Sequence, residues 1–146
     1  MSVAIRPLVA ADEAAWRALW ADYLAFYETS VSEEVVATTF RRLLSGAPGE
    51  YRALVAEAQG RLVGLAHYLT HRHCWRVEDV VYLQDLYVAP ETRGSGAGRA
   101  LIEAVYARAD AAGTPAVYWL TQEFNATARR LYDRVATLTP FIKYQR

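Results

Sequence analysis

The chain has a single cysteine, Cys74, among its 146 residues, so no internal disulfide can staple it. It has no surplus of either charge, with sixteen Lys and Arg against sixteen Asp and Glu. No basic block runs along it, which excludes the electrostatic footprint of a nucleic-acid binder. Long apolar runs are missing as well, so no segment reads as a membrane span. The opening stretch Met1 to Pro7 lacks the basic-then-apolar pattern of a secretion signal, and the expectation is a cytoplasmic protein with no membrane partner. What the chain does have is 53% hydrophobic residues, enough to build a core without metal or disulfide.

Val3 to Val9 reads as a strand, with Pro7 placing it at a sheet edge. Trp16, Leu19, Trp20, Tyr23 and Tyr27 then recur at spacings of three and four, which predicts an amphipathic helix opening at Asp12 and Glu13. Ser30 and Glu33 have capping-box spacing for a second helix, with Val36, Phe40, Leu43 and Leu44 on its apolar face. The stretch Ser45 to Gly49 stops it. Tyr51 to Ala58 and Leu62 to Thr70 form a hairpin about Gln59-Gly60, and Asp79 to Val88 is a long central strand. A glycine-rich turn, Arg93 to Gly98, leads into a helix from about Arg99 to Ala111. The remaining expectations are a strand at Ala116 to Thr121, a helix from Asn125 to about Val135 and a last strand at Thr139 to Tyr144. There is no internal repeat and no linker, so residues 1–146 read as one α/β domain of order β-α-α-β-β-β-α-β-α-β.

The segment that carries chemistry is Leu86-Tyr87-Val88-Ala89-Pro90-Glu91-Thr92-Arg93-Gly94-Ser95-Gly96-Ala97-Gly98-Arg99. A strand runs into a glycine-rich turn that opens a helix. The first N–H groups of a helix have no internal acceptor, and its dipole favours anions there. Glycines let a diphosphate come close to the backbone, and Arg93 and Arg99 add cationic donors. A P-loop would end in Gly-Lys-Ser/Thr, whereas this turn continues Gly98-Arg99-Ala100. A dinucleotide fingerprint would need glycine where Arg99 stands and would follow an N-terminal strand.

Arg93, Gly96 and Gly98 match the pattern Arg/Gln-x-x-Gly-x-Gly/Ala, which resembles the acetyl-CoA motif of the GNAT superfamily of N-acetyltransferases. The strand Leu83 to Val88, Pro90, Leu101, Asn125, Ala128 and Tyr132 fit the same pattern, and so does the element order. The resemblance implies a central mixed, mostly antiparallel sheet flanked by helices, with acetyl-CoA as acyl donor and no metal. It places the CoA diphosphate on Arg93, Gly94, Ser95, Gly96, Ala97, Gly98 and Arg99. It gives the pantetheine arm the backbone of Leu86, Tyr87 and Val88, together with Asn125 and Ala128. One backbone N–H of that strand would polarise the thioester carbonyl.

Asn125 and Tyr132 are seven apart and share a helix face. The resemblance makes Tyr132 the proton donor to the leaving thiolate; N-cap and core-aromatic readings stand beside these roles. An alkyl ammonium near pKa 10.4 must lose a proton before attack, which costs about 4.6 kcal/mol at pH 7. Asp85, a carboxylate in an otherwise apolar strand, is the first candidate to take that proton; a salt bridge or rim position is the other explanation. Related polyamine and thialysine acetyltransferases carry an acid where Gln84 stands, and Gln84 is no base. Tyr27, Glu28 and Gln84 are candidates for contact with the acceptor. His71, His73 and Cys74 lie close in sequence but lack a second ligand cluster, and a loop reading is preferred to a metal. The ending Phe141 to Tyr144 is similar to a fungal subgroup that often dimerises, so a homodimer is expected. The acceptor expected is a small-molecule primary amine attacked directly, with a lysine-bearing peptide or a non-catalytic acyl-CoA sensor as alternatives.

Overall fold

The computed structural model describes residues 2–146. Five strands form one mixed sheet in the order β1-β2-β3-β4-β5. They are β1 (Ala4–Pro7), β2 (Arg52–Ala58), β3 (Arg61–His71), β4 (Val80–Val88) and β5 (Val117–Tyr118). The first three ladders are antiparallel, and β5 joins β4 in parallel. Pro7 lies on the edge strand, where its missing N–H costs no ladder bond. Gln59 and Gly60 both take positive φ, as a two-residue hairpin turn demands.

Strand alternation sorts the core into two layers. Helices α1 (Glu13–Phe26) and α2 (Glu33–Ser45) cover one face, where Trp16, Leu19, Trp20, Phe40 and Leu43 pack on Val55, Leu65 and Tyr87. Helix α3 (Ala97–Ala111) covers the other, with Leu101, Ile102 and Val105 against Leu54, Ala66, Val81 and Leu83. Leu54 and Val55 are neighbours in the chain yet serve opposite layers, as a period of two requires. Gly64 leaves room for α3 on the sheet: a Cβ there would meet the Tyr87 carbonyl oxygen at 3.0 Å and Leu101 Cδ1 at 3.1 Å.

Three sequence expectations are corrected. The cap of α2 is Ser32, whose hydroxyl accepts from the Val35 N–H; Ser30 lies outside the helix. Glu33 is therefore free of capping and instead receives Arg17 Nη1 at 2.9 Å, tying α2 to α1. The strand expected at Ala116 to Thr121 shortens to Val117–Tyr118, because β4 and β5 splay apart after Tyr82 and Tyr118. Thr139 to Tyr144 is not a strand: it has no ladder partner, and Phe141, Ile142 and Tyr144 are exposed. Helix α4 (Ala126–Val135) precedes that tail. Among the described residues no helix is long and apolar enough to cross a membrane.

Candidate active site

The splay between β4 and β5 creates the site. β4 pairs with β5 only at Val81 and Tyr82, so its edge from Leu83 to Val88 has no strand partner on that side. The Ala89 N–H donates to the Val63 carbonyl of β3, so by strand alternation Leu86 and Val88 turn their backbone groups to that side. Val88 carbonyl oxygen already accepts from Arg93 Nε at 3.2 Å, whereas among the described residues none takes over that edge as a ladder strand.

At the end of this edge the chain turns through Pro90–Thr92 and enters α3. Gly94 and Gly96 have φ of 85° and 86°, the left-handed region in which a side chain is strained. A Cβ on either would meet nothing within 4 Å, so their faces are open to a ligand. Gly96 is the N-cap of α3, and the first N–H with an acceptor is that of Ala100, on the Gly96 carbonyl at 2.9 Å. The N–H groups of Ala97, Gly98 and Arg99 have no acceptor within the helix by its geometry. Ser95 Oγ is buried without a hydrogen-bond partner. A buried donor left so costs about 1–3 kcal/mol unless a ligand meets it. An open glycine cradle, unpaired helix N–H groups and an orphaned hydroxyl fit a diphosphate. Of the two arginines, Arg99 reaches Glu103 along its own helix at 2.7 Å, while Arg93 lies near the rings of Tyr87 and Phe26, 5.8 and 6.0 Å from their centres.

A β-bulge lies in the middle of β4. His67 faces Asp85 but Tyr68 faces Leu83, so Gln84 is the extra residue. The bulge turns Asp85 inward on the α1 side, where it is 8% exposed. Its Oδ2 receives His67 Nδ1 at 2.9 Å and Trp20 Nε1 at 3.2 Å. Burial pushes the Asp85 carboxyl up, but the hydrogen bond from His67, the positive charge of that ring when protonated, and hydrogen bonds from Tyr23 and Trp20 together hold it below its ordinary value. Asp85 is thus neither a rim residue nor a member of a pair with Lys or Arg.

Tyr23 of α1 packs edge-on against Tyr27 and Tyr87. Burial raises its hydroxyl, and so do Asp85, Tyr27 and Tyr132 around it. Tyr132 of α4 is raised to about 12 by burial, with Tyr27 adding to the effect. Its ring packs edge-on against Trp119, 5.4 Å away. Tyr23 appeared in the sequence only as part of a helical stripe; its partner Asp85 is 62 positions away in the chain, beyond any local pattern.

Asn125, Ala128 and Tyr132 share the half-buried face of α4. Asn125 occupies the N-cap position, but its side chain caps nothing; its Nδ2 donates to Thr121 Oγ1 at 3.3 Å. Tyr27 is the C-cap of α1 and packs on Tyr23 at 5.3 Å. Glu28 is exposed, with φ of 58°, and its backbone ends the helix. Gln84 is exposed on the bulge and accepts from the Tyr51 hydroxyl. His71, His73 and Cys74 do not converge: His71 Nε2 pairs with the Tyr118 hydroxyl at 2.8 Å, and His73 Nδ1 accepts from the Trp75 N–H.

A glycine turn with unpaired helix N–H groups follows a strand edge without a partner, with Asp85 buried on that strand and Tyr132 half-buried on α4. The chain belongs to the GNAT family of acetyltransferases, whose family description matches residues 13–136. It is 43% identical over 145 residues to the D-amino-acid N-acetyltransferase HPA3 of Saccharomyces cerevisiae, covering 99% of this chain and 90% of that one. Among solved structures it is similar to AAC(6')-Iy bound to the bisubstrate analog CoA-S-monomethyl-acetylneamine, with a TM-score of 0.87 and 20% identity over 100% and 98% of the two chains. A ribosomal-protein-alanine N-acetyltransferase of Brucella melitensis biovar Abortus 2308 is also similar in fold, with a TM-score of 0.76 and 23% identity over 99% and 98% of the chains. The protein is an N-acetyltransferase, a mixed α/β fold of five strands and four α-helices.

Proposed function

We propose that the protein transfers an acetyl group from acetyl-CoA to the primary amine of a small molecule, by direct attack and without a covalent enzyme intermediate. The observation that carries this reading is the turn from β4 into α3, where Gly94 and Gly96 are open, Ser95 Oγ is buried without a partner and the first helix N–H groups lack an acceptor. Acetyl-CoA, when bound, supplies the activated thioester. Gly94, Ser95, Gly96, Ala97 and Gly98 hold its diphosphate, with Ser95 Oγ and the first N–H groups of α3 as donors. Arg93 and Arg99 border that turn, and Leu86, Tyr87, Val88, Asn125 and Ala128 border the pantetheine arm.

Asp85 takes the proton that the amine sheds as the new N–C bond forms, directly or through Tyr23. Its suppressed proton affinity keeps it ionised at pH 7, and the amine, already neutral when it attacks, becomes acidic enough to release its second proton as the N–C bond forms. Tyr132 keeps its proton at every working pH and delivers it to the departing sulfur. A phenol at about 12 facing a thiol near 8.5 is uphill by about 5 kcal/mol, so the donation occurs as negative charge develops on sulfur rather than before. Tyr27, Glu28 and Gln84 border the acceptor.

The D-amino acid named for the yeast relative and the neamine portion of the analog bound to AAC(6')-Iy are both small amines, which supports a small acceptor here. Acceptor-dependent release of free CoA thiol, measured against D- and L-amino acids, aminoglycosides, polyamines and a lysine-rich peptide, tests the proposal. Faster acetylation of the peptide than of every small amine would replace it with a protein acetyltransferase. Tight CoA binding without turnover on any acceptor would replace it with a sensor. The whole chain works as one cytoplasmic domain and as a homodimer in this reading. The exposed apolar tail, with Phe141 77% and Ile142 76% accessible, is the surface that supports pairing. Sedimentation of a monomer, unchanged by Phe141→Asp, would remove the dimer.

A further inference from the structure

One buried ionisable side chain has no role in the chemistry above. His67 of β3 is 2% exposed and sits between α1 and β4. Trp16 Nε1 lies 3.0 Å from its Nε2, and Asp85 Oδ2 lies 2.9 Å from its Nδ1. An indole N–H can only donate, so Nε2 must accept. The single ring proton is then on Nδ1, where it donates to Asp85. The contact between His67 and Asp85 is a hydrogen bond from a neutral ring, not an ion pair. A second proton on the ring would set an Nε2–H against the Trp16 N–H, in a pocket where Trp16 is 0% exposed.

We infer that His67, fixed as its Nδ1–H tautomer by Trp16, is a positioning residue that orients Asp85 toward the acceptor amine while leaving its negative charge uncancelled. The inference rests on the acetyl-transfer reading of Asp85. His67 and Trp20 both donate to Oδ2, so the carboxylate is gripped by one oxygen and neither donor occupies Oδ1. Trp16 and Trp20 are one helical turn apart on α1 and stack with ring centres 5.1 Å apart, so a single helix face sets both donors. Asp85 of β4 is the ionisable group in contact with His67, and Tyr23 of α1 faces that same carboxylate. The other elements packed here contribute Ala53 from β2 and Phe40 from α2, neither of which titrates.

A role in positioning differs from mere core packing in its pH signature. Trp16→Phe keeps the aromatic ring but removes the donor, and the freed Nε2 can take a proton that cancels the Asp85 charge. The test measures kcat/KM for the best amine in the intact protein, for wild type, Trp16→Phe, His67→Gln, His67→Phe and the double variant Trp16→Phe/His67→Gln. Relative to wild type, Trp16→Phe should lose about 10-fold more activity at about pH 6 than at about pH 8.5. The double variant should regain the wild-type pH profile, because an amide does not titrate. His67→Gln, which can both donate and accept, should lose no more than about 5-fold, and His67→Phe roughly 100-fold. A wild-type pH profile in Trp16→Phe, or equal damage from His67→Gln and His67→Phe, would overturn the inference. Should the variants not fold, 15N NMR of wild-type His67 decides: one protonated Nδ1 and one bare Nε2 are expected at neutral pH, and two protonated nitrogens would overturn it. Absence of acetyl transfer with every amine would defeat the acetyl-transfer reading instead, and the NMR result would still report the tautomer.

Discussion

Replacing Asp85 by Asn removes one charge and almost nothing else. The Asn carbonyl oxygen can keep both N–H bonds now made to Oδ2, from His67 and Trp20, so the aromatic layer beneath should stay in place. Each of those bonds changes from charge-assisted to neutral, which is worth about 1 kcal/mol, so roughly 2 kcal/mol of stability should be lost. The sign with pH follows from the suppressed proton affinity of Asp85. Its contribution is present above the unfolded carboxylate value of about 4 and fades as pH falls through the still lower folded value. The gap in unfolding free energy between wild type and Asp85→Asn should therefore be full at neutral pH and close below about pH 4. Turnover should fall at least about 100-fold, because the group that accepts the amine proton is gone. Urea unfolding at several pH values and thiol release from acetyl-CoA measure the two effects separately. A variant that stays folded and retains wild-type kcat/KM would refute the assignment of Asp85 as proton acceptor.

Tyr132→Phe should lower kcat about 100-fold with little change in CoA affinity, read by steady-state thiol release and by calorimetry with CoA. Because Tyr132 titrates at about 12, its loss of a proton should produce no alkaline fall in activity below about pH 11. Tyr23 and Tyr132 are both raised by burial, so their contribution to stability is fully present below the unfolded tyrosine value of about 10 and is lost as pH rises through their folded values. Urea midpoints should be flat from neutral pH to about 9.5 and drop above it. Gly96→Ala imposes a side chain on φ of 86° at the mouth of α3, costing about 1 kcal/mol of stability and weakening CoA binding about 10-fold or more. Wild-type CoA affinity in a folded Gly96→Ala protein would mean that the turn does not hold the diphosphate.

Much of the fold was legible because its signals are local. The three- and four-residue spacing of Trp16, Leu19, Trp20 and Tyr23 marks α1, and Gly46 at φ of 65° ends α2 where the glycine run stops the apolar pattern. The Gln59-Gly60 turn and the Arg93 to Gly98 turn also declare themselves by residue type. The misread elements depend on partners. Val117–Tyr118 is short because β4 and β5 part company, and Thr139 to Tyr144 carries strand-forming Phe141, Ile142 and Tyr144 but finds no neighbour to pair with. Ser30 and Ser32 offer competing caps, and the spacing to Glu33 pointed to the wrong one.

The site divides the same way. Its motif residues and Asp85 stand out in the chain, the latter as a charge inside an apolar strand. The groups that give Asp85 its state do not, since Trp16 and His67 are 51 residues apart and meet only where α1 packs on β3. A signal for His67 was present: it falls on the inward parity of β3, two positions after the fully buried Leu65. The bulge at Gln84 shifts the parity of β4 and brings Asp85 to the same side, which no count of alternating residues could reveal.

The most direct test of the central claim is release of CoA thiol from acetyl-CoA by the purified protein, with and without small primary amines. We expect release that depends on the amine, saturates with it and yields the N-acetyl product in equal amount. Binding of CoA with no release above background for any amine would contradict acetyl transfer to a small acceptor.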